Sequence, residues 1–141
     1  MKKSIFFSVF ILSILVLYAG KRKNNADNLP LLHTKWILTE VFDNVVLHNP
    51  DTAYIIFSDT YKFSGNLGCN LFFGEFSFSK KMIKMDYVGA TKKLCFNMEV
   101  EDQFMKAIRN DNFHYYIEKN TLYLLDKKNT VCKFEGIVLP Q

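Results

Sequence analysis

Along most of this chain, apolar residues recur in short runs separated by clusters of Asn, Asp, Gly and Lys, the pattern of strands broken by turns. Residues 35–41 carry apolar side chains at Trp36, Leu38 and Val41, an alternation with one slip. Residues 53–57 form a short apolar run. Over 71–78, Phe72, Phe76 and Phe78 share one parity, while Glu75 and Ser77 take the other. Parity alone does not say which set faces inward. Residues 82–88 alternate loosely, and 113–117, 121–125 and 131–138 read as three late strands. Lys119-Asn120 and Lys127-Lys128-Asn129 supply hairpin turns, with Asn the residue expected to take left-handed backbone angles.

One segment changes period. Between residues 97 and 110 the apolar positions are Val100, Phe104, Ala107 and Ile108, which is one face of a helix. Asn97 is placed to cap it. Glu99, Glu101 and Asp102 suit the positive end of its dipole, and Lys106 and Arg109 the negative end. Short strands with one helix predict an α+β, mostly β fold. The expected form is a curved antiparallel sheet or incomplete (cracked) β-barrel, with the helix packed across its open side. Eleven phenylalanines beyond residue 20 can supply most of a core. Trp36, Phe72, Phe76, Phe104 and Tyr116 are candidates for core or cavity lining.

Residues 1–20 stand apart from that domain. Lys2 and Lys3 precede an apolar run over 5–19, and Lys21-Arg22-Lys23 ends it. A run of about 15 residues fits a secretory h-region better than a membrane span of roughly 20. The segment reads as a signal peptide or an uncleaved N-terminal membrane anchor. Leu17-Tyr18-Ala19 resembles the start of a lipoprotein cleavage box. Gly20 occupies the place of the lipid-bearing cysteine, and the first Cys is Cys69, so lipidation is rejected. Residues 21–32 read as a linker, and residues 33–138 as the folded domain.

The net charge of +4 reflects that N-terminal region. Lys2, Lys3, Lys21, Arg22 and Lys23 account for it. The remaining thirteen basic residues face fourteen acidic ones, a net of −1. A nucleic-acid partner calls for excess positive charge on the folded domain, and none is expected here. The pairs Lys80-Lys81 and Lys92-Lys93 read as solvated turns.

The densest feature is Phe63-Ser64-Gly65-Asn66-Leu67-Gly68-Cys69-Asn70-Leu71-Phe72-Phe73-Gly74, followed downstream by Thr91-Lys92-Lys93-Leu94-Cys95. Gly65, Gly68 and Gly74 mark positions where a Cβ would clash or φ is positive. Asn70 is placed to bond its own turn. The stretch reads as a tight barrel corner. A nest of loop amides for an anion is the sharper reading, but it lacks a following helix and a lysine at phosphate-loop spacing.

With Trp36 and Leu38 in an opening W-x-L strand, Phe57, Glu101, Phe104, Leu122-Tyr123-Leu124 and Phe134, these motifs resemble the META domain of the HslJ type. This is a family of bacterial envelope proteins. The resemblance spans about residues 33–138. Its motif positions here are Trp36, Gly65, Gly68, Cys69, Asn70, Gly74, Thr91, Cys95, Glu101 and Phe104. Lys93-Leu94 departs from the Met-Ala that usually precedes the second cysteine. The resemblance implies a compact barrel-like domain, exported to the periplasm or attached to the membrane, with a structural role for the motif. It carries no established activity.

Cys69 and Cys95 both sit in the shared motif and form a candidate disulfide in an oxidising compartment, closing a loop worth about 3–4 kcal/mol. The competing reading is two buried thiols. Cys132 is expected to stay free. His33, His48 and His114 are scattered, so a cysteine nucleophile has no evident base. There is no C-x-x-C or H-x-x-x-H, and no metal or cofactor is expected. The expected function is therefore non-catalytic: a binding or envelope-stress module for lipid or another small apolar ligand. The alternative is a protein-interaction module, an assembly pilot or inhibitor at the membrane. An enzyme using a Cys or carboxylate is the remote third. Oligomeric state is not readable.

Overall fold

Strand alternation becomes an inside and an outside in the computed structural model, which describes residues 28–46, 53–109 and 112–140. The elements are β1 (Thr34–Val41), β2 (Asn44–Val45), β3 (Tyr54–Phe57), β4 (Lys62–Asn66), β5 (Leu71–Phe78), β6 (Met82–Ala90), α1 (Glu99–Ile108), β7 (Asn112–Glu118), β8 (Thr121–Asp126) and β9 (Asn129–Val138). Every pairing between them is antiparallel. The sheet runs β1-β3-β4-β5-β6-β7-β8-β9 and closes through β1–β9, with β2 as an extra strand beside β1.

The open side expected of the sheet is thus closed, by a ladder from Thr34↔Val138 to Val41↔Cys132. Across it Lys133 Nζ donates to Glu40 Oε2 at 3.1 Å. That hydrogen bond, with the Glu40 charge, raises the Lys133 pKa. The shortest barrel ladders lie elsewhere, at β1–β3 and β6–β7, with three pairs each among the described residues. Among the described residues β6 and β7 pair only at Met82↔His114, Ile83↔Phe113 and Lys84↔Asn112.

A register shift between Leu38 and Glu40 accounts for the slip in β1. One extra residue turns the inward set from Trp36 and Leu38 to Val41, and all three are buried. On β5 the even positions point inward: Phe72 and Phe76 are buried, while Phe73 and Glu75 are exposed. Phe78 shares their parity but lies at the strand's end, half exposed and stacked on Phe76. Tyr116 is corrected to the outer face. Its neighbour in parity on β7 is exposed His114, and its ring stacks on Tyr123 at 4.4 Å.

The helix begins at Glu99, one residue later than a cap at Asn97 would place it. Asn97 Oδ1 accepts from the Glu99 N–H at 3.0 Å, so it serves the first turn from just outside it. The left-handed turn positions are Lys119 and Lys127, at φ 56° and 57°, rather than the asparagines. Asn120 instead donates to Glu135 Oε1, and Asn129 opens β9. The domain also starts earlier than residue 33. Leu31 is buried, its carbonyl accepts from Trp36 Nε1 at 2.9 Å, and Leu29 N–H donates to Lys119 O at 2.8 Å. Residues 28–32 therefore belong to the folded domain. Residues 1–20 and Asn110 lie outside the described residues.

An eight-stranded barrel is just wide enough for side chains to fill it. Here Phe104 of α1 contacts Phe72 on β5 and Phe134 on β9, with ring centroids 5.5 Å and 5.8 Å away. Those two strands lie four apart in either direction around the barrel, so Phe104 bridges opposite walls. Trp36, Phe57, Phe63, Phe113 and Phe134 fill the rest, all at most 2% exposed. Replacing Phe104 with Ala should lower unfolding free energy by about 3–5 kcal/mol in urea titrations, with the slope unchanged.

Candidate functional site

The glycine-rich stretch forms the β4–β5 hairpin at the rim that α1 covers. Gly65 has no room for a side chain, because a Cβ would run into the Phe72 ring and the carbonyl oxygen of Tyr54. Gly74 is equally constrained by the Phe63 ring. Gly68 has φ +116°, which other residues rarely adopt. The turn between the strands closes through Leu67 N–H donating to Asn70 O at 2.7 Å and Gly68 N–H donating to Asn66 Oδ1 at 2.7 Å.

The Asn70 side chain leaves this turn, contrary to the sequence expectation. Its Nδ2 donates to Glu101 Oε1 at 2.7 Å and to Lys93 O at 3.1 Å. Its Oδ1 accepts from Lys93 N–H at 2.7 Å and from Thr91 Oγ1 at 2.8 Å. The amide thus uses both donors and both acceptor sites, its full capacity. The Lys93 N–H can only donate, which fixes the amide's orientation. Thr91 also accepts from Leu71 N–H at 3.2 Å.

Glu101, in the first turn of α1, is buried. Its Oε2 accepts from Asn70 N–H at 2.8 Å and Cys69 N–H at 3.3 Å. The loop amides therefore do form a small anion cradle, and the anion is the protein's own carboxylate. Cys69 is bonded to Cys95, with Cα atoms 6.2 Å apart, across the same junction. One corner thus ties together the hairpin, residues 91–95 and the helix. Of the motif positions, only Trp36 and Gly74 stand away from this corner. Trp36 packs the core, and Phe104 carries the corner's helix into it.

The META domain family model matches residues 29–136. The chain belongs to the META domain family. No curated protein matches it. One solved NMR structure is similar at 22% identity and TM-score 0.61, over 73% of this chain and 88% of its own. An NMR structure of a protein from Burkholderia xenovorans is similar at 17% identity and TM-score 0.60, over 77% of this chain and 85% of its own. At those identities the likeness concerns the fold.

The other reactive groups of this META domain are dispersed. Cys132 is free and buried on β9, and desolvation pushes its thiol pKa far up. His33 faces Asp59 at 3.7 Å at the barrel end opposite the corner, and His114 is exposed on β7. His48 lies outside the described residues. Among the described residues no three His, Cys, Asp or Glu side chains gather as metal ligands would, and no helix is long and apolar enough to cross a membrane.

Sequence reasoning missed what the corner displays. Residues 91–97 are exposed, and Leu94 and Phe96 present 97% and 109% of the reference area for their residue types. Their apolar character is visible in the sequence. Their exposure follows from the anchoring of Lys93 and Cys95 on either side of Leu94.

Asn70→Asp keeps the shape but sets a second carboxylate against Glu101 and removes the Nδ2 donors. It should cost about 3 kcal/mol in chemical denaturation. The Cys69→Ser/Cys95→Ser pair should cost about 3–4 kcal/mol by the same measurement. Cys132 should resist thiol reagents in the native protein and react at once on unfolding.

Proposed function

We propose that this META domain is a non-catalytic binding module, exported to the cell envelope, that presents residues 91–96 to a protein partner. The observation that carries the reading is the full exposure of Leu94 and Phe96 on an anchored loop. Large apolar side chains held in water gain their burial free energy only on association. Anchoring by Asn70 and Cys69 means that little ordering entropy is then lost. Lys92 and Lys93 flank the pair, so the fitting surface is an apolar groove with an acidic margin. Export is supported by the N-terminal charge and hydropathy pattern and by the Cys69–Cys95 bond.

The apolar-ligand reading keeps one supporting feature. The barrel interior is packed with rings, but an open concavity of about 480 Å³ on the outer face is lined by Ile56, Phe63, Phe73 and Gly74. That concavity is open to solvent, which suits a small apolar molecule poorly.

Photo-crosslinking from position 92 in intact cells tests the partner reading. The Leu94→Ser/Phe96→Ser variant should lose the crosslinked species while its thermal midpoint stays within a few degrees of wild type, since both side chains lie outside the core. Retention of every crosslink by the variant would refute the loop's role. A lipid that copurifies stoichiometrically in native mass spectrometry would favour the concavity instead.

A further inference from the structure

The two rims of the barrel differ in chemistry. Strand directions put the starts of β1, β4, β6 and β8 and the ends of β3, β5, β7 and β9 at the rim away from α1. Lys80, Lys81 and Lys119 are exposed on its turns. Tyr61, Phe78, Ile137 and Val138 are exposed on the same rim, at 60%, 40%, 52% and 54%. The turns are firmly held: Tyr115 N–H donates to Lys81 O at 2.9 Å, and Tyr115 Oη donates to Ser79 O at 2.9 Å. An open groove of about 610 Å³ runs between them, lined by Leu29, Lys80, Lys81, His114 and Tyr115 among others, with no acidic residue. Of the acids at or beside the rim, Asp59 faces His33, Glu135 accepts from Asn120, Glu75 lies in register with Lys62, and Glu118 adjoins Lys119.

The described chain also begins here. Asn28 Oδ1 accepts from Lys119 N–H at 2.7 Å. Four residues separate Asn28 from Lys21-Arg22-Lys23, which follow the apolar run over 5–19. That spacer reaches at most about 18 Å.

We propose that this rim docks on an anionic bilayer surface. The lysines meet the headgroups, and Tyr61, Phe78, Ile137 and Val138 settle at the headgroup boundary, the division of labour of interfacial segments. The basic cluster upstream adds to the same attraction. A surface of mixed cationic and aromatic groups, next to the point where a basic, apolar leader joins the domain, fits a lipid surface better than an acidic protein. The latter would leave the exposed aliphatics of β9 without a counterpart. The inference stands apart from the protein-partner reading, whose residues lie on the opposite rim and face away from such a membrane.

The test is hydrogen exchange of the full chain with liposomes of phosphatidylcholine, alone or mixed with phosphatidylglycerol. Amides over 79–82 and 119–120 should slow in the anionic liposomes only, and added salt should reverse the effect. Each lysine near an anionic surface strengthens association about fivefold, so K80Q/K81Q/K119Q should weaken it roughly a hundredfold. An unchanged thermal midpoint shows that the variant is folded, and the salt series on wild type stands without it. Equal exchange in the two lipids, or lipid-dependent protection confined to 91–97, overturns the proposal. Neither result bears on the crosslinks of the opposite rim.

Discussion

The Asn70 side-chain amide is the group on which the covered rim depends. It is buried, and a buried primary amide left short of partners costs about 1–3 kcal/mol per missing bond. Asn70 has all four. Two segments distant in sequence supply them: Thr91 and Lys93 from the loop, and Glu101 from the helix. The hairpin, loop and helix must therefore take one relative arrangement for the amide to be satisfied. Glu101 is held reciprocally, because its carboxylate would be costly to bury without the hairpin amides of Cys69 and Asn70. The disulfide crosses a junction that these hydrogen bonds have already defined.

That corner connects packing to surface. With Glu101 docked, α1 has a fixed rotation, and Phe104 enters the barrel between Phe72 and Phe134. The space a lipid would need inside the barrel is taken by side chains. Fixing the same corner from the loop side leaves Leu94 and Phe96 in solvent. One polar junction thus sets both the filled interior and the displayed pair, which turns attention from cavity to surface.

Much of this was legible in the chain. Strands β5, β7 and β8 follow period two, and the helix follows its apolar stripe, because each buries a single face. The slip at Val41 was legible as an irregularity, and its meaning came from the register shift opposite β9. Closure was not legible. It depends on β1 finding β9 across nearly the whole chain, and no local pattern encodes that pairing. The asparagines at the late hairpins misled for a related reason: the strand ladders and the bonds from residues 28 and 29 hold Lys119 in its left-handed turn, overriding preference. Asn70 was legible as a motif residue, but a turn role was expected because its true partners lie 21 to 31 positions downstream. Tyr116 shows the limit of aromatic content as a guide to the core, since a stacked partner on the outer face serves it equally well.

The central claim is that hydrogen bonding to Asn70 positions the 91–96 loop and that the disulfide reinforces it. The Lys93 amide reports this directly, since it lies on an exposed residue and donates to Asn70 Oδ1 at 2.7 Å. Its exchange rate is to be followed by NMR before and after reduction of Cys69–Cys95. The account predicts that the amide remains protected in the reduced protein. Exchange at the rate of an unstructured peptide after reduction, with the barrel amides still protected, would contradict it.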